Sequence, residues 1–115
     1  MNRDEITFLQ DILGAIESIE RFVAGLSYED FAQDDKTISA VVRKLEIIGE
    51  AAKRIPESTR NAYPAIPWRL ASGMRDRLIH AYFEVEEEIL WFTIQNSLPP
   101  FKDGISLVLN DKMAK

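Results

Sequence analysis

Apolar side chains recur at steps of three and four residues along most of the chain, a spacing typical of amphipathic α-helices. The first stripe predicts a long helix over residues 3–25 and consists of Ile6, Leu9, Ile12, Leu13, Ile16, Ile19, Val23 and Leu26. Phe8, Ala15 and Phe22 form a second stripe at a seven-residue step. This second stripe either covers more of the same core or buries a helix of a partner, and we interpret it as core.

Glycine and polar positions after this stripe predict where the first helix ends and the next begins. Gly25 can end the first helix, because glycine readily adopts the left-handed conformation of a helix C-terminus. Ser27 is a typical N-cap residue, and Asp30, three residues later, stands in a position like that of the acidic residue of a capping box. The sequence therefore predicts a short helix that runs through Phe31.

A third helix is predicted over about residues 36–55, with Asp34 or Asp35 as its cap. Its apolar stripe consists of Ile38, Val41, Val42, Leu45, Ile48, Ala52 and Ile55. Gly49 lies inside this helix. Because a glycine within a helix costs about 1 kcal/mol relative to alanine, we expect a close helix–helix approach there. Pro56 ends the helix.

Prolines divide the second half of the chain. Residues 56–67 hold three of them and form a rigid connector with a helical turn at Glu57–Ala62. A helix over about residues 67–80 follows and begins with a proline, which suits a first turn. The last helix starts near the acidic residues of 84–88 and carries Leu90, Ile94, Leu98, Phe101, Ile105 and Val108. Because this stripe keeps its phase across Pro99-Pro100, we expect a helix kinked at the prolines and not a hairpin.

The composition of the 115 residues is that of a globular protein, with 46% hydrophobic and 29% charged side chains. The length suits one domain with one core, spanning residues 1–115. No strand-like alternation of useful length is present. We therefore predict an all-α, up-and-down bundle of four main helices with additional short helices.

Several kinds of protein are excluded by the residues that the chain lacks. Without cysteine there are no disulfides or thiolate metal sites, and a single histidine gives no recognisable transition-metal cluster. A glycine-rich phosphate loop and a nucleophile elbow are also absent, and we expect neither a metal nor a cofactor. No run of about 18 apolar residues predicts a membrane span, and the charged N-terminus is unlike a signal peptide. We expect a soluble, cytoplasmic protein.

The net charge of −5 argues against a nucleic-acid partner, but its distribution changes this interpretation. Residues 43–77 carry eight basic and four acidic side chains, a net charge of +4, and the remainder of the chain carries −9. The basic residues of this segment are Arg43, Lys44, Lys53, Arg54, Arg60, Arg69, Arg75 and Arg77. The segment is either a solvated surface of mixed charge or a local phosphate-binding surface on an acidic protein.

The candidate chemistry lies in residues 74–83, which contain the only histidine, His80. A histidine titrates near neutral pH and acts as a general acid or base, and Arg75 offers a fork of donors to a phosphate. Tyr82 adds a hydroxyl group and a flat face for stacking. These groups suffice to cleave RNA without a metal, since the 2′-hydroxyl supplies the nucleophile. The alternative is a structural histidine near a helix end.

Arg75 and His80 would not share a face of one ideal helix, because five residues turn it by about 140°. Arg75 and Tyr82, seven residues apart, would share a face. Two arrangements resolve the mismatch. Either the helix ends near His80 and the backbone re-aims the ring, or the segments of two subunits face each other across a two-fold axis. The second arrangement also provides two histidines, one as base and one as acid.

The spacing Arg75-x4-His80-x-Tyr82 resembles the R-x4-H-x-Y motif of the HepT-like toxins, a branch of the HEPN ribonuclease superfamily. The flanking sequence is similar over most of the chain, at Ile47–Arg54, Pro67-Trp68-Arg69, Gly73-Met74-Arg75, Phe83, Val85, Trp91, Thr93-Ile94 and Leu98-Pro99. The bare R-x4-H pattern is weak, but the pattern with these flanks is specific. The positions that depart from the commonest pattern, which has asparagine or glycine there, are Asp76, Ala81 and Glu84.

The resemblance implies a HEPN-like bundle that forms a homodimer or an oligomer of dimers, with metal-independent endoribonuclease activity at a shared cleft. It implies that Arg75 and His80 are catalytic and that Asp76, Arg77 and Tyr82 support the site. It also implies a type VII toxin–antitoxin system, in which a minimal nucleotidyltransferase antitoxin of the MntA type adenylylates Tyr82. Phosphates added beside Arg75 would block an incoming RNA phosphate.

A different class of function fits the same residues. Under this alternative the chain is a non-catalytic helical subunit that binds or regulates a nucleotidyltransferase. Tyr82 then contacts the partner, and His80 is structural. Growth arrest by the chain alone, relieved by His80→Ala, would favour the toxin over this alternative.

Overall fold

Helices form the regular structure of this chain wherever it is described. The computed structural model describes residues 3–71, 73 and 86–114. The helices are α1 (Arg3–Val23), α2 (Tyr28–Ala32), α3 (Asp35–Lys53), α4 (Glu57–Ala62), α5 (Glu87–Phe92) and α6 (Leu98–Met113). Residues 68–71 and 73 are also helical, and a π-helical segment, Thr93–Ser97, joins α5 to α6. These ranges contain no strand, which confirms the predicted all-α fold. None of their helices is long and apolar enough to cross a membrane.

Helix α1 ends and helix α2 begins at the positions that Gly25 and Ser27 predict. Gly25 has a φ of +79°, in the left-handed region that glycine adopts at helix C-termini. The Ser27 hydroxyl accepts a hydrogen bond from the Asp30 backbone N–H at 3.1 Å, and the Ser27 N–H donates to the Asp30 carboxylate at 3.2 Å. This reciprocal pair is the capping box predicted for α2.

Asp34, one of the two predicted candidates, caps α3. One of its carboxylate oxygens accepts from the Thr37 backbone N–H at 3.1 Å, and the other accepts from the Thr37 hydroxyl at 2.6 Å. Both bonds favour the ionised carboxylate, so they lower the pKa of Asp34, with the larger effect from the hydroxyl. The stabilisation that this cap gives to α3 therefore depends on pH.

Substituting Asp34 by asparagine isolates this dependence, because asparagine caps helices equally well but does not titrate. A carboxylate whose pKa is lowered by folding stabilises the protein above its unfolded pKa of about 3.9, and it loses this contribution as pH falls through the folded value. We expect wild type to lose thermal stability relative to Asp34→Asn below about pH 4. Circular dichroism melts at several pH values measure the difference. Asp35→Asn, which changes an exposed neighbour outside the cap, is the control. A difference in thermal stability between wild type and Asp34→Asn that does not change with pH would contradict the role of the Asp34 carboxylate.

Among the described helices, α1 packs against both α3 and α6, whereas α2 packs against α3 and α5. Within residues 3–71, 73 and 86–114, the large side chains that are almost completely buried are Leu9, Ile12, Ile16, Ile19, Phe31, Val41, Leu45, Ile48, Ile55, Ile105 and Val108. The predicted stripes of α1, α3 and the last helix supply ten of these eleven residues. The second stripe of α1 is divided, because Ala15 is buried, Phe8 is half-buried and Phe22 is exposed.

The backbone stays helical across the proline pair, and it departs from α-helical geometry one turn earlier, between α5 and α6. Pro99 and Pro100 lie in the first turn of α6, where no backbone N–H is required. In a regular α-helix their rings would clash with the carbonyl groups of Gln95 and Asn96. Both carbonyls belong to the π-helical segment, whose wider turn accommodates the rings. In place of a simple kink at Pro99-Pro100, the chain has a π-helical segment directly before the helix that contains the prolines.

A buried polar cluster joins the connector, which includes α4, to α1 and α6. Glu5 is 6% exposed, accepts a hydrogen bond from the Thr59 hydroxyl and lies 3.6 Å from the Lys112 ammonium nitrogen. The Tyr63 hydroxyl donates to the Asp111 carboxylate at 2.8 Å, and this bond, followed by burial, raises the pKa of Tyr63. Since a buried carboxylate is stable only with such partners, the cluster fixes the position of the connector.

Candidate active site

The five residues predicted to form the site lie outside the residues that the structure describes. They are Arg75, Asp76, Arg77, His80 and Tyr82. The structure does describe the chain on both sides of them, which we name the entry flank, residues 63–71, and the exit flank, residues 86–92. These flanks determine where the candidate segment is attached to the bundle.

The entry flank is anchored on α6 by Trp68. The indole N–H of Trp68 donates to the Tyr63 carbonyl oxygen at 3.1 Å, and its ring meets Phe101 edge to face with centroids 6.3 Å apart. Only 8% of the Trp68 surface is exposed. A helix begins at this residue, directly after Pro67, as the sequence predicts. The first turn leading into the candidate segment is therefore fixed on the hydrophobic core.

Directly before Trp68, the connector approaches α6 at a position that suits only glycine. A Cβ atom at Gly104 would lie 2.7 Å from Cγ1 and 3.1 Å from Cδ1 of Ile66. Ile66 is itself buried, and closely packed side chains have little room to move aside. The lack of a side chain at Gly104 therefore sets how closely the entry flank approaches α6.

The exit flank is held by aromatic contacts with α2. The Trp91 ring lies 5.2 Å from the ring of Phe31 and 6.2 Å from that of Tyr28, measured between centroids. Partial burial, and then the negative charges of Glu88 and Glu87, raise the pKa of Tyr28. The exit flank is thus firmly attached and acidic, whereas the entry flank belongs to the basic segment.

Three grooves on the surface of the described chain differ in charge. The α4 groove, between α4 and the entry flank, is lined by Glu57, Arg60, Asn61, Ile66, Trp68 and Arg69. The charged residues of the α1–α3 groove are Asp11, Arg43, Glu46, Glu50 and Arg54, and that of the α2–α5 groove is Glu88. The net charges are therefore +1, −1 and −1, so of these three the α4 groove is the one suited to an anion. Within the same described ranges, no group of three or more histidine or carboxylate side chains is arranged to hold a metal ion.

Four arginines of the basic segment line two of these grooves, with Arg43 and Arg54 in the α1–α3 groove and the other two in the α4 groove. Arg43 forms an ion pair with Glu46 at 3.4 Å, and the Arg54 guanidinium lies 5.6 Å from the centre of the Phe8 ring. These two arginines match the interpretation as a solvated surface of mixed charge, since each already has a favourable contact.

The net charge of the basic segment includes Arg60 and Arg69, but the sequence does not predict where these two side chains lie. They lie nine positions apart, with a helix end, Pro64 and Pro67 between them, so no periodicity relates one to the other. The structure brings both to the α4 groove. The signal available in the sequence was the local net charge of +4.

A comparison with known protein families matches residues 12–108 to the family described as "Ribonuclease HepT-like". The chain belongs to the HepT-like ribonuclease family. This confirms the resemblance found in the spacing of Arg75, His80 and Tyr82 and in the sequence around them. The range matched to the HepT-like family includes both flanks and the whole candidate segment.

Individual HepT-like relatives align with this chain over most of its length. The protein "Probable ribonuclease HepT" of Thermococcus cleftensis is 49% identical over 102 residues, which is 89% of this chain and 93% of the relative. "Putative RNase MJ0127" of Methanocaldococcus jannaschii is 39% identical over 109 residues, or 95% of this chain and 90% of the relative. "Putative RNase TTE0752" of Caldanaerobacter subterraneus subsp. tengcongensis is 41% identical over 102 residues, or 89% and 91%. No solved structure gives a significant match.

Proposed function

We propose that this HepT-like protein is a metal-independent endoribonuclease that acts as the toxin of a type VII toxin–antitoxin system. The observation that carries the proposal is the family match, which spans residues 12–108 and so includes Arg75, His80 and Tyr82 at the motif spacing. The ribonuclease names of relatives that align over about nine-tenths of the chain support the same activity. The basic segment, residues 43–77, leads into the motif and fits a phosphate-bearing substrate.

The proposed reaction uses a nucleophile that the RNA provides. His80, acting as general base, removes the proton of a ribose 2′-hydroxyl, and the oxygen attacks the adjacent phosphorus. The bond from phosphorus to the 5′-oxygen of the next nucleotide breaks, and this oxygen takes a proton from a general acid. Arg75 binds the phosphate and stabilises the negative charge that develops during attack. The products are a 2′,3′-cyclic phosphate and a 5′-hydroxyl.

A site shared by two subunits would explain how Arg75 and His80 can act together although they do not share a face of one helix. Arg75 and His80 point to different sides of one ideal helix, so two copies that meet across a two-fold axis would bring an arginine and a histidine together. One His80 then acts as the base, and His80 of the partner subunit acts as the acid. Asp76 and Arg77 support this composite site.

The proposed antitoxin is a minimal nucleotidyltransferase that adenylylates Tyr82. The tyrosine positions substrate in the active toxin, and its modification places a phosphate next to Arg75. That added negative charge competes with the RNA phosphate for the same guanidinium group, so the modified toxin is inactive.

Analysis of the cleaved ends tests the proposed reaction. The purified protein is incubated with single-stranded RNA in the presence of a chelator, and the products are examined by mass spectrometry. We expect a 2′,3′-cyclic phosphate on one fragment and a 5′-hydroxyl on the other, at a rate that the chelator does not change. Fragments with a 5′-phosphate and a 3′-hydroxyl, or loss of activity in chelator, would show a different reaction.

A further inference from the structure

We propose that the α4 groove is a second phosphate-binding site for the RNA substrate. It would hold a backbone phosphate of the same strand at a distance from the phosphate that is cleaved. This inference rests on the proposed ribonuclease function, since it assigns a part of the substrate to a groove outside the R-x4-H-x-Y motif. Arg60 is the central residue of the site, and Arg69 and Asn61 lie beside it in the groove lining.

The surroundings of Arg60 point to a ligand. Its Nε atom is shielded from solvent and has no hydrogen-bond acceptor among the described residues. The Arg60 guanidinium also forms no ion pair with any of them, although Glu57 stands only three positions earlier on α4. A shielded donor on a charged group is unfavourable when it stays unsatisfied. A phosphate in the groove would bind the guanidinium group through its fork of N–H donors, and Nε would reach a phosphate oxygen once the side chain turned toward the groove.

The shape of the groove also suits this role. Its volume is about 450 Å³, within the size range of protein sites that bind small molecules. One wall contains Ile66, packed against α6 at Gly104, and Trp68, fixed by its hydrogen bond to Tyr63. A wall that is already held in place needs no ordering when a ligand binds, which favours affinity.

Charge separates this groove from the other two. The α4 groove has a net charge of +1, whereas the α1–α3 and α2–α5 grooves are each −1. In the α1–α3 groove Arg43 and Arg54 already have an ion pair and an aromatic contact. Arg60 has neither in the part of the chain that the structure describes. Of the three grooves, this one offers an arginine whose charge is still available to an anion.

The groove is continuous in sequence with the candidate active site. Arg69 lies in the first turn of the helix that starts at residue 68, six positions before Arg75. A strand of RNA with its cleaved phosphate at Arg75 would therefore extend along the basic segment toward Arg60. Only RNA longer than a dinucleotide can reach both sites.

RNA binding in the His80→Ala background, in which cleavage is expected to be abolished, tests the contact directly. The affinity for single-stranded RNA is measured at several salt concentrations, with Arg60→Gln as the variant. Arg60→Gln is expected to weaken binding about tenfold and to reduce the slope of log affinity against log salt by about 0.7, the value for one lost phosphate contact to a single strand. Lys36→Gln removes one exposed positive charge at the start of α3, away from the groove, and is expected to change neither quantity.

Cleavage kinetics distinguish a binding role from a structural one. With His80 intact, Arg60→Gln is expected to raise KM for a long RNA several-fold without lowering the thermal midpoint, and to leave kcat and cleavage of a dinucleotide unchanged. Arg60→Lys, which keeps the charge, should recover part of the lost affinity. An equal loss of kcat/KM with the long RNA and the dinucleotide would show that Arg60 is structural. No loss of kcat/KM with either substrate would show that RNA does not bind in the groove. If wild type cleaves no RNA at all, the proposed function itself fails.

Discussion

Replacing His80 with alanine is expected to lower the rate of RNA cleavage by at least about a hundredfold, since a well-placed acid or base contributes roughly 100- to 10,000-fold. The chain contains no second histidine and no cysteine that could take over proton transfer at neutral pH. A fluorogenic single-stranded RNA, assayed in chelator under single-turnover conditions, measures the effect on the chemical step. In a cell that lacks the proposed antitoxin, expression of wild type is expected to arrest growth, and the same substitution is expected to relieve the arrest.

The controls for this experiment address folding and contamination. His80→Ala should keep the circular dichroism spectrum and the oligomeric state of wild type. Lys36→Gln, expressed and purified in the same way, should retain full activity because its exposed side chain lies at the start of α3. Equal cleavage by wild type and His80→Ala would remove the histidine from the mechanism and favour the alternative of a non-catalytic binding subunit.

Replacing Phe31 with alanine is expected to lower the free energy of unfolding by about 3–5 kcal/mol, the usual range for truncating a buried phenylalanine. Phe31 is 0% exposed, and its ring lies 5.2 Å from that of Trp91. Truncation would leave a cavity between α2 and α5 and would loosen the exit flank of the candidate segment. Denaturant unfolding followed by circular dichroism gives the free energy difference.

Phe92→Ala is the matched control, because Phe92 follows Trp91 on α5 but is 63% exposed. Truncating it should change the free energy of unfolding by no more than about 0.5 kcal/mol. A similar loss for both variants would mean that α5 depends on surface contacts of Phe92 as much as on the core. Little loss for Phe31→Ala would instead mean that the contact with Trp91 contributes little to the fold.

Helix boundaries were predictable where the signals are local. The capping box at Ser27 and the cap at Asp34 depend on residues within one turn, and both occur in the structure. The helical turn over Glu57–Ala62 was bounded by prolines and has the expected limits. The identities of the site residues came from their spacing and the resemblance. How these side chains are arranged relative to one another stays a prediction. Because a single helix would separate Arg75 from His80, we predict a composite site formed by two subunits.

Features that depend on tertiary structure were not predictable. The apolar stripe of the last helix keeps its phase across the prolines, so it gave no indication of the π-helical segment before them. The α4 groove brings Arg60 and Arg69 together across turn residues 64–65, and a pattern along the chain does not give the direction of that turn. The burial of Glu5 likewise depends on Thr59 and Lys112, which are distant in sequence.

The contact between Ile66 and Gly104 has a consequence for how this family can diverge. A Cβ atom at position 104 would fall 2.7 Å from Ile66 Cγ1, so the sizes of the two residues are not independent. Homologues with alanine at 104 should carry a smaller side chain at 66, and those with a bulky residue at 66 should keep glycine. The two positions are therefore expected to covary, so the sequences of its relatives should show how the entry flank is attached to the bundle.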